Sequence, residues 1–172
     1  GGVGMMSIIA LKSLGIKNIY AIDKNKKNLK IAKKLGYKKI YSLDAFNKNI
    51  MNLKINKKLI KYNIEISGNT HMMEMAIKNL SSKGSCILAG NIKHGLTIKF
   101  NPYDLIFGKR IHGFSGNDLS LDKNINQYFR ALKKINFNKL RKIFKIYKFN
   151  NINKAIYDFN MGKTLRPLIN FE

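Results

Sequence analysis

Two rhythms alternate along this chain. Short apolar runs of strand length are separated by longer stretches in which apolar residues return every three or four positions, the helical period. The first helical stretch is Met5-Met6-Ser7-Ile8-Ile9-Ala10-Leu11. Lys12-Ser13-Leu14-Gly15 closes it, with Gly15 placed just past the last turn. Asn18-Ile19-Tyr20-Ala21-Ile22 reads as a strand with Asp23 at its end. A helix from about Lys26 carries Leu29, Ile31, Ala32 and Leu35 and stops at Gly36. Lys39-Ile40-Tyr41 is the next strand. Residues 45–61 are ambiguous, a Lys- and Asn-rich helix marked by Ile50, Leu53, Leu59 and Ile60.

The same alternation continues. Tyr62–Ile66 is a strand ending in Ser67-Gly68-Asn69, and Thr70–Ser81 is a helix with Met72, Met73, Met75, Ala76, Ile77 and Leu80. Lys83-Gly84 turns into the strand Ser85–Ala89, which ends at Gly90. Leu96–Phe100 reads as a short extended piece, and Asn101-Pro102 opens a turn. Arg110–Phe114 is a strand ending at Ser115-Gly116. A helix over 121–135 presents Ile125, Tyr128, Phe129, Leu132 and Ile135, with the aromatics expected in a core. A short helix over Ile152–Phe159, Gly162 and a strand over Thr164–Phe171 close the chain. Pro167 makes that strand an edge or an interrupted strand.

Strands alternating with helices predict right-handed βαβ units and an α/β fold: a Rossmann-like, doubly wound parallel sheet with a C-terminal helix-strand extension. The expected division is 1–115 and 116–172. Ligands of such sheets bind beyond the carboxyl ends of the strands. Asp23, Ser67-Gly68, Ala89-Gly90-Asn91 and Ser115-Gly116 all stand there, although glycine and serine also end strands that bind nothing.

The chemistry concentrates at the first residues. Gly1-Gly2-Val3-Gly4 directly precedes an apolar helix. Glycines there allow a tight turn and close approach of a pyrophosphate, which the first N–H groups and the dipole of the helix then hold. Gly1 and Gly4 fit the second and third glycines of a G-x-G-x-x-G turn. In this fold the strand before such a turn is central, so a gap, or a sheet closed by another segment, is expected between the strands ending at Asp23 and Ile66. The turn also predicts an acidic residue about 20 residues on, to bind a ribose hydroxyl. Asp23 fits, although it could instead cap the helix near Lys26, a role open also to Asn25. Met5-Met6 occupy the positions of the Lys and Ser/Thr of a nucleotide-kinase loop, which argues against that reading.

Charge alters the picture less than its size suggests. The net charge is +24, from 33 Lys+Arg against 9 Asp+Glu, a field that attracts polyanions. The lysines are spread along the chain and accompanied by many Asn and Ile, a pattern of A/T-rich coding. A dedicated nucleic-acid surface is therefore not expected, while an anionic dinucleotide is favoured. No apolar run approaches the ~20 residues that cross a bilayer. Cys86, the single cysteine, lies in an apolar run, which suits a buried thiol and a reducing cytoplasm.

The chain resembles the cofactor-binding half of zinc-type medium-chain alcohol and polyol dehydrogenases. The carriers are Gly1-Gly2-Val3-Gly4, Ile22-Asp23 with Leu29, Ala32, Lys34, Leu35 and Gly36, Glu65-Ile66-Ser67-Gly68, Gly84 with Leu88-Ala89-Gly90, Lys109–Gly113, and Gly162–Pro167. The resemblance implies that the Gly1–Gly4 turn and Arg166 hold the pyrophosphate of NAD and that Asp23 binds the adenosine ribose. It implies that Ser67, Gly68, Ala89, Gly90, Asn91, Ser115 and Gly116 line the adenosine and nicotinamide path. Asp23 favours NAD over NADP, because a carboxylate repels a 2′-phosphate. The family's Lys five positions after the Asp is Asn28 here, and Lys24, Lys26 and Lys27 lie close enough to soften the preference. The resemblance places the zinc ligands in an N-terminal domain outside this chain. Segment 116–172 would pack on that domain, the substrate would be a small alcohol or polyol, and the chain alone would be inactive. It also implies a homo-oligomer formed through the sheet edge at Arg110–Phe114. His71, His94 and His112 show no ligand spacing with Cys86, so no metal is assigned to them. Two rivals remain: an S-adenosylmethionine-dependent methyltransferase, from the glycine turn and acidic residue alone, and a basic nucleic-acid-binding module, from the net charge.

Overall fold

The computed structural model describes residues 1–52, 55–56, 60–116, 125–126, 129–130, 132–141 and 143–172. The chain divides into two compact units, Gly1–Phe46 with Ile125–Glu172, and Asn47–Asn124.

The first unit begins with α1 (Gly2–Ser13), whose buried Met5, Ile8 and Ile9 repeat at helical spacing. Burying such side chains stabilises by about 1.5–3 kcal/mol each. They join Ala32, Leu35, Tyr37, Ile40, Ile135, Ile143 and Leu165 in one core. Gly15 leaves the helix at φ +86°, the left-handed geometry expected of it. Strand β1 (Ala21–Ile22) pairs in parallel with β2 (Ile40–Tyr41) across α2 (Lys26–Lys34). Asn25 caps α2, its side chain accepting from the Lys27 N–H, so Asp23 is not the cap. After α3 (Leu43–Met51), the unit resumes with helical residues within 125–133 and then α6 (Phe137–Arg141). Strand β6 (Phe144–Lys148), a turn of 3-10 helix, α7 (Ile152–Asn160) and β7 (Arg166–Asn170) form a further parallel β-α-β element. Pro167 stands within β7, opposite Lys145; the sheet has two strands, so its missing N–H can face the unpaired edge.

The second unit holds β3 (Tyr62–Glu65), α4 (Thr70–Lys78), β4 (Ser85–Leu88), α5 (Pro102–Ile106) and β5 (Arg110–Gly113). The strands are parallel in the order β3-β4-β5. Ala76, Ile77, Leu80 and Cys86 form its core. The chain thus has the predicted α/β architecture. Among the described residues, β1 pairs only with β2, and β3 only with β4.

Four expectations need correction or completion. Leu96–Phe100 carries no strand pairing among the described residues, and the turn at Asn101-Pro102 is the start of α5. Strand β6 and helix α6 were not anticipated. Phe129 is exposed rather than buried, as are Ile125 and Leu132, while Ile135 does enter the core. Tyr128, and Leu53 and Leu59 of the ambiguous stretch, lie outside the described residues. No helix among the described residues is long and apolar enough to cross a membrane.

Candidate functional site

In the first unit the glycines form the first turn of α1 itself, with Gly1 as N-cap. No side chain caps this end. The N–H groups of a first helical turn lack intrahelical acceptors and attract an anion. Gly2 is where close approach occurs. A Cβ there would lie 2.7 Å from the Leu165 carbonyl oxygen and 3.5 Å from Arg166 Cδ. The sequence thus predicts the correct segment but not which glycine is indispensable, since a Cβ on Gly1 or Gly4 would meet nothing within 4 Å.

The Gly2 contact brings together residues from opposite ends of the sequence. Leu165 is buried in the core and Arg166, the first residue of β7, is exposed beside Gly2. Among the described residues Arg166 makes no ion pair, so its guanidinium is uncommitted to a carboxylate. The turn before it touches the Asp23 loop as well. Gly162 has φ +62°, and a Cβ there would lie 3.0 Å from Asn25 Nδ2.

Asp23 is held by three donors. Its Oδ1 accepts from the Asn25 N–H at 2.8 Å, and its Oδ2 from Asn28 Nδ2 at 2.8 Å and the Gly1 nitrogen at 2.7 Å. Asn28, the departure from the family's Lys, is therefore a neutral group that orients the carboxylate.

In the second unit, the ends of β3 and β4 meet. A Cβ on Gly68, at φ +66°, would lie 1.9 Å from the Asn91 carbonyl oxygen. One on Gly90 would lie 2.3 Å from the Gly68 nitrogen. The Ala89 and Gly90 N–H groups donate to the Glu65 carbonyl at 2.8 and 3.0 Å. Ser67, Gly68, Ala89, Gly90 and Asn91 thus form one tight pair of loops. Ser115 and Gly116 follow β5, anchored through the Phe114 N–H to the Leu88 carbonyl at 2.9 Å.

Sequence reasoning passed over Glu65 as a site residue. Its buried carboxylate accepts from the Ser67 N–H at 2.7 Å, the Ser67 hydroxyl and the Gly68 N–H at 3.3 Å. It therefore fixes the first loop. The signal was an acidic residue on an apolar strand just before Ser-Gly, a place where an unpaired charge is costly.

The described residues do not fit a zinc ion. They contain no group of three His, Cys, Asp or Glu that could hold a metal. Cys86 is fully buried, and burial, then the nearby Glu65 charge, pushes its thiol up to about 11, so it stays protonated at neutral pH. A cavity of about 720 Å³ between α4 and residues 99–109 is lined by none of the predicted site residues.

A family model described as zinc-binding dehydrogenase matches residues 2–135. Alcohol dehydrogenase class-2 isozyme 2 of Oryctolagus cuniculus is 28% identical over 98% of this chain and 45% of its own length. The crystal structure of benzyl alcohol dehydrogenase from Acinetobacter calcoaceticus superimposes with a TM-score of 0.83 at 27% identity, covering 97% of this chain and 46% of that one. An alcohol dehydrogenase from E. coli solved with NADH reaches 0.79 at 16% identity over 99% of this chain and 50% of that one, a likeness of fold alone. The chain spans about half the length of these relatives. Neither the methyltransferase nor the nucleic-acid alternative gains support from these matches.

Proposed function

The chain belongs to the zinc-binding dehydrogenase family, and from that premise we propose that it is the NAD-binding part of an alcohol or polyol dehydrogenase. The carrying observation is the packing of Gly2 on Leu165-Arg166, within the unit that also holds Asp23. That arrangement fits a dinucleotide: an uncapped helix start and a guanidinium for the pyrophosphate, and a carboxylate for a ribose. In this reading the Gly1–Gly4 segment and Arg166 bind the pyrophosphate. Asp23 binds the adenosine ribose, and Ser67, Gly68, Ala89, Gly90, Asn91, Ser115 and Gly116 line the path of the adenosine and nicotinamide. Bound NAD would supply hydride acceptance from the alcohol carbon.

Because the chain spans about half the length of its relatives, the metal and most of the substrate pocket are assigned to another part of a longer protein, and this chain alone is expected to be inactive. The exposed Ile125, Phe129, Leu132 and Ile146 support a role for 116–172 in packing on that part. Strand β5 pairs only with β4 among the described residues, which leaves Arg110–Phe114 a candidate edge for a homo-oligomer. The lone buried thiol suits a cytoplasmic setting.

Titration calorimetry with NAD, NADP and S-adenosylmethionine tests the reading. NAD is expected to bind at least about tenfold more tightly than NADP, because the Asp23 carboxylate repels a 2′-phosphate. Asp23→Asn is expected to narrow that margin. Preferential binding of S-adenosylmethionine, or equal binding of all three, would overturn the assignment.

A further inference from the structure

Asp158 lies on the inward face of α7 and is 4% exposed. A buried carboxylate is costly unless its charge and lone pairs are met. Here Oδ2 accepts from the Tyr147 hydroxyl at 2.9 Å and from Lys145 Nζ at 3.1 Å, both on β6. Oδ1 stands 3.8 Å from Lys163 Nζ. The Asp158 backbone carbonyl accepts the Lys163 N–H at 2.7 Å and the Thr164 N–H at 3.4 Å. The two lysines are steered by rings as well: Lys145 Nζ lies 4.9 Å from the Tyr147 ring centre and Lys163 Nζ 4.7 Å from that of Tyr157.

Through both its side chain and its main chain, then, one residue grips strand β6 and the turn that leaves α7. That turn is also the one whose Gly162 meets Asn25, whose Leu165 oxygen meets Gly2 and whose last residue is Arg166. An apolar side chain could hold α7 on β6 equally well, since buried ion pairs contribute little net stability compared with apolar packing. What the apolar substitute lacks is direction. A hydrogen-bonded carboxylate fixes angles as well as distance, so the turn has one register against the start of α1.

We propose that Asp158 is the positioning residue for Arg166: it sets the Gly162–Arg166 turn against the N-terminus of α1 and so aligns the guanidinium with a dinucleotide's pyrophosphate. This rests on the NAD-binding reading above and adds to it a residue remote from the cofactor. Asp158 does not touch the ligand in this account. Its effect is confined to the phosphates, because Asp23 has its own donors.

The test compares ADP with adenosine as competitors of NADH fluorescence on the purified protein, well below its melting temperature. Wild type should prefer ADP. In Asp158→Asn that preference should fall by about tenfold, the order of loss that a small misplacement of a binding group produces, while adenosine affinity stays within about twofold. Tyr147→Phe, which keeps the carboxylate and removes one donor, should move the same ratio in the same direction by a smaller factor; it carries the test if Asp158→Asn does not fold. Equal loss for ADP and adenosine would mean a merely structural residue and overturn the proposal. An unchanged ratio in both variants overturns it alone. A wild type that binds neither ADP nor NADH overturns the NAD-binding reading and this proposal together.

Discussion

Gly68→Ala is expected to be the most destabilising single methyl addition in the candidate site. Two costs combine. Gly68 has φ +66°, where a side chain is disfavoured by about 1 kcal/mol. The added Cβ would also lie 1.9 Å from the Asn91 carbonyl oxygen and 2.8 Å from its carbon. Those atoms are main chain and cannot rotate aside. The loops after β3 and β4 must separate, and the Gly68 N–H bond to the buried Glu65 carboxylate is strained with them. An unmet buried carboxylate adds its own penalty. A total loss of about 3 kcal/mol or more follows from such combined backbone and burial effects. Urea unfolding measures it. Gly113→Ala is the control, since a Cβ on Gly113 would meet nothing within 4 Å; it should cost little. If the two variants melt together, the loop contact is not as described.

That prediction depends on facts no linear pattern contains. Gly68 and Gly90 read equally well as ordinary strand endings. Only the pairing Glu65↔Leu88 brings the following loops so close that neither glycine tolerates a Cβ. The strands themselves were legible, because Ile40-Tyr41, Cys86-Ile87-Leu88 and their neighbours are apolar runs between glycine or serine stops. Strand β6 was not. Phe144-Lys145-Ile146-Tyr147-Lys148 alternates imperfectly, buries only Tyr147, and follows a lysine-rich tract that masks its period. Helix α5 escaped notice for the opposite reason: Tyr103, Leu105 and Ile106 are all exposed, so no apolar face announced it. Its cap was visible, with Asn101 accepting from the Tyr103 N–H and Pro at the first position.

The site shows the same division. Asp23 could be selected by spacing, and its freedom from capping followed once Asn25 took that role. Asp158 could not be selected, since acidic residues are expected at the surface and its side-chain partners Tyr147 and Lys145 lie on another strand; Glu65 left a signal, an acidic residue on an apolar strand just before the Ser67-Gly68 loop it holds. Composition alone leaves Arg166 one cation among many in a chain of net charge +24; the resemblance carried by Gly162–Pro167 singled it out, and the packing of Gly2 beside it adds a geometric reason.

Arg166→Ala is expected to weaken NAD binding by about 10- to 100-fold, the loss of one charge-assisted hydrogen bond at about 1.5–3 kcal/mol. Arg166→Lys should recover only part of that loss, because a point charge cannot reproduce the two-pronged geometry of a guanidinium on phosphate oxygens. Thermal stability should hardly change in either variant, as Arg166 is exposed and makes no ion pair among the described residues. The net charge sets the conditions of the measurement. At low salt the summed field of 33 basic residues attracts any polyanion, and removal of one cation is hidden. At about 0.15 M salt the screening length is about 8 Å, so distant lysines contribute little and a contact residue stands out. Under those conditions adenosine binding should be insensitive to Arg166 and NAD binding strongly sensitive. Equal affinity of Arg166→Ala and wild type for NAD would remove Arg166 from the pyrophosphate site, and leave the start of α1 to hold the phosphates alone.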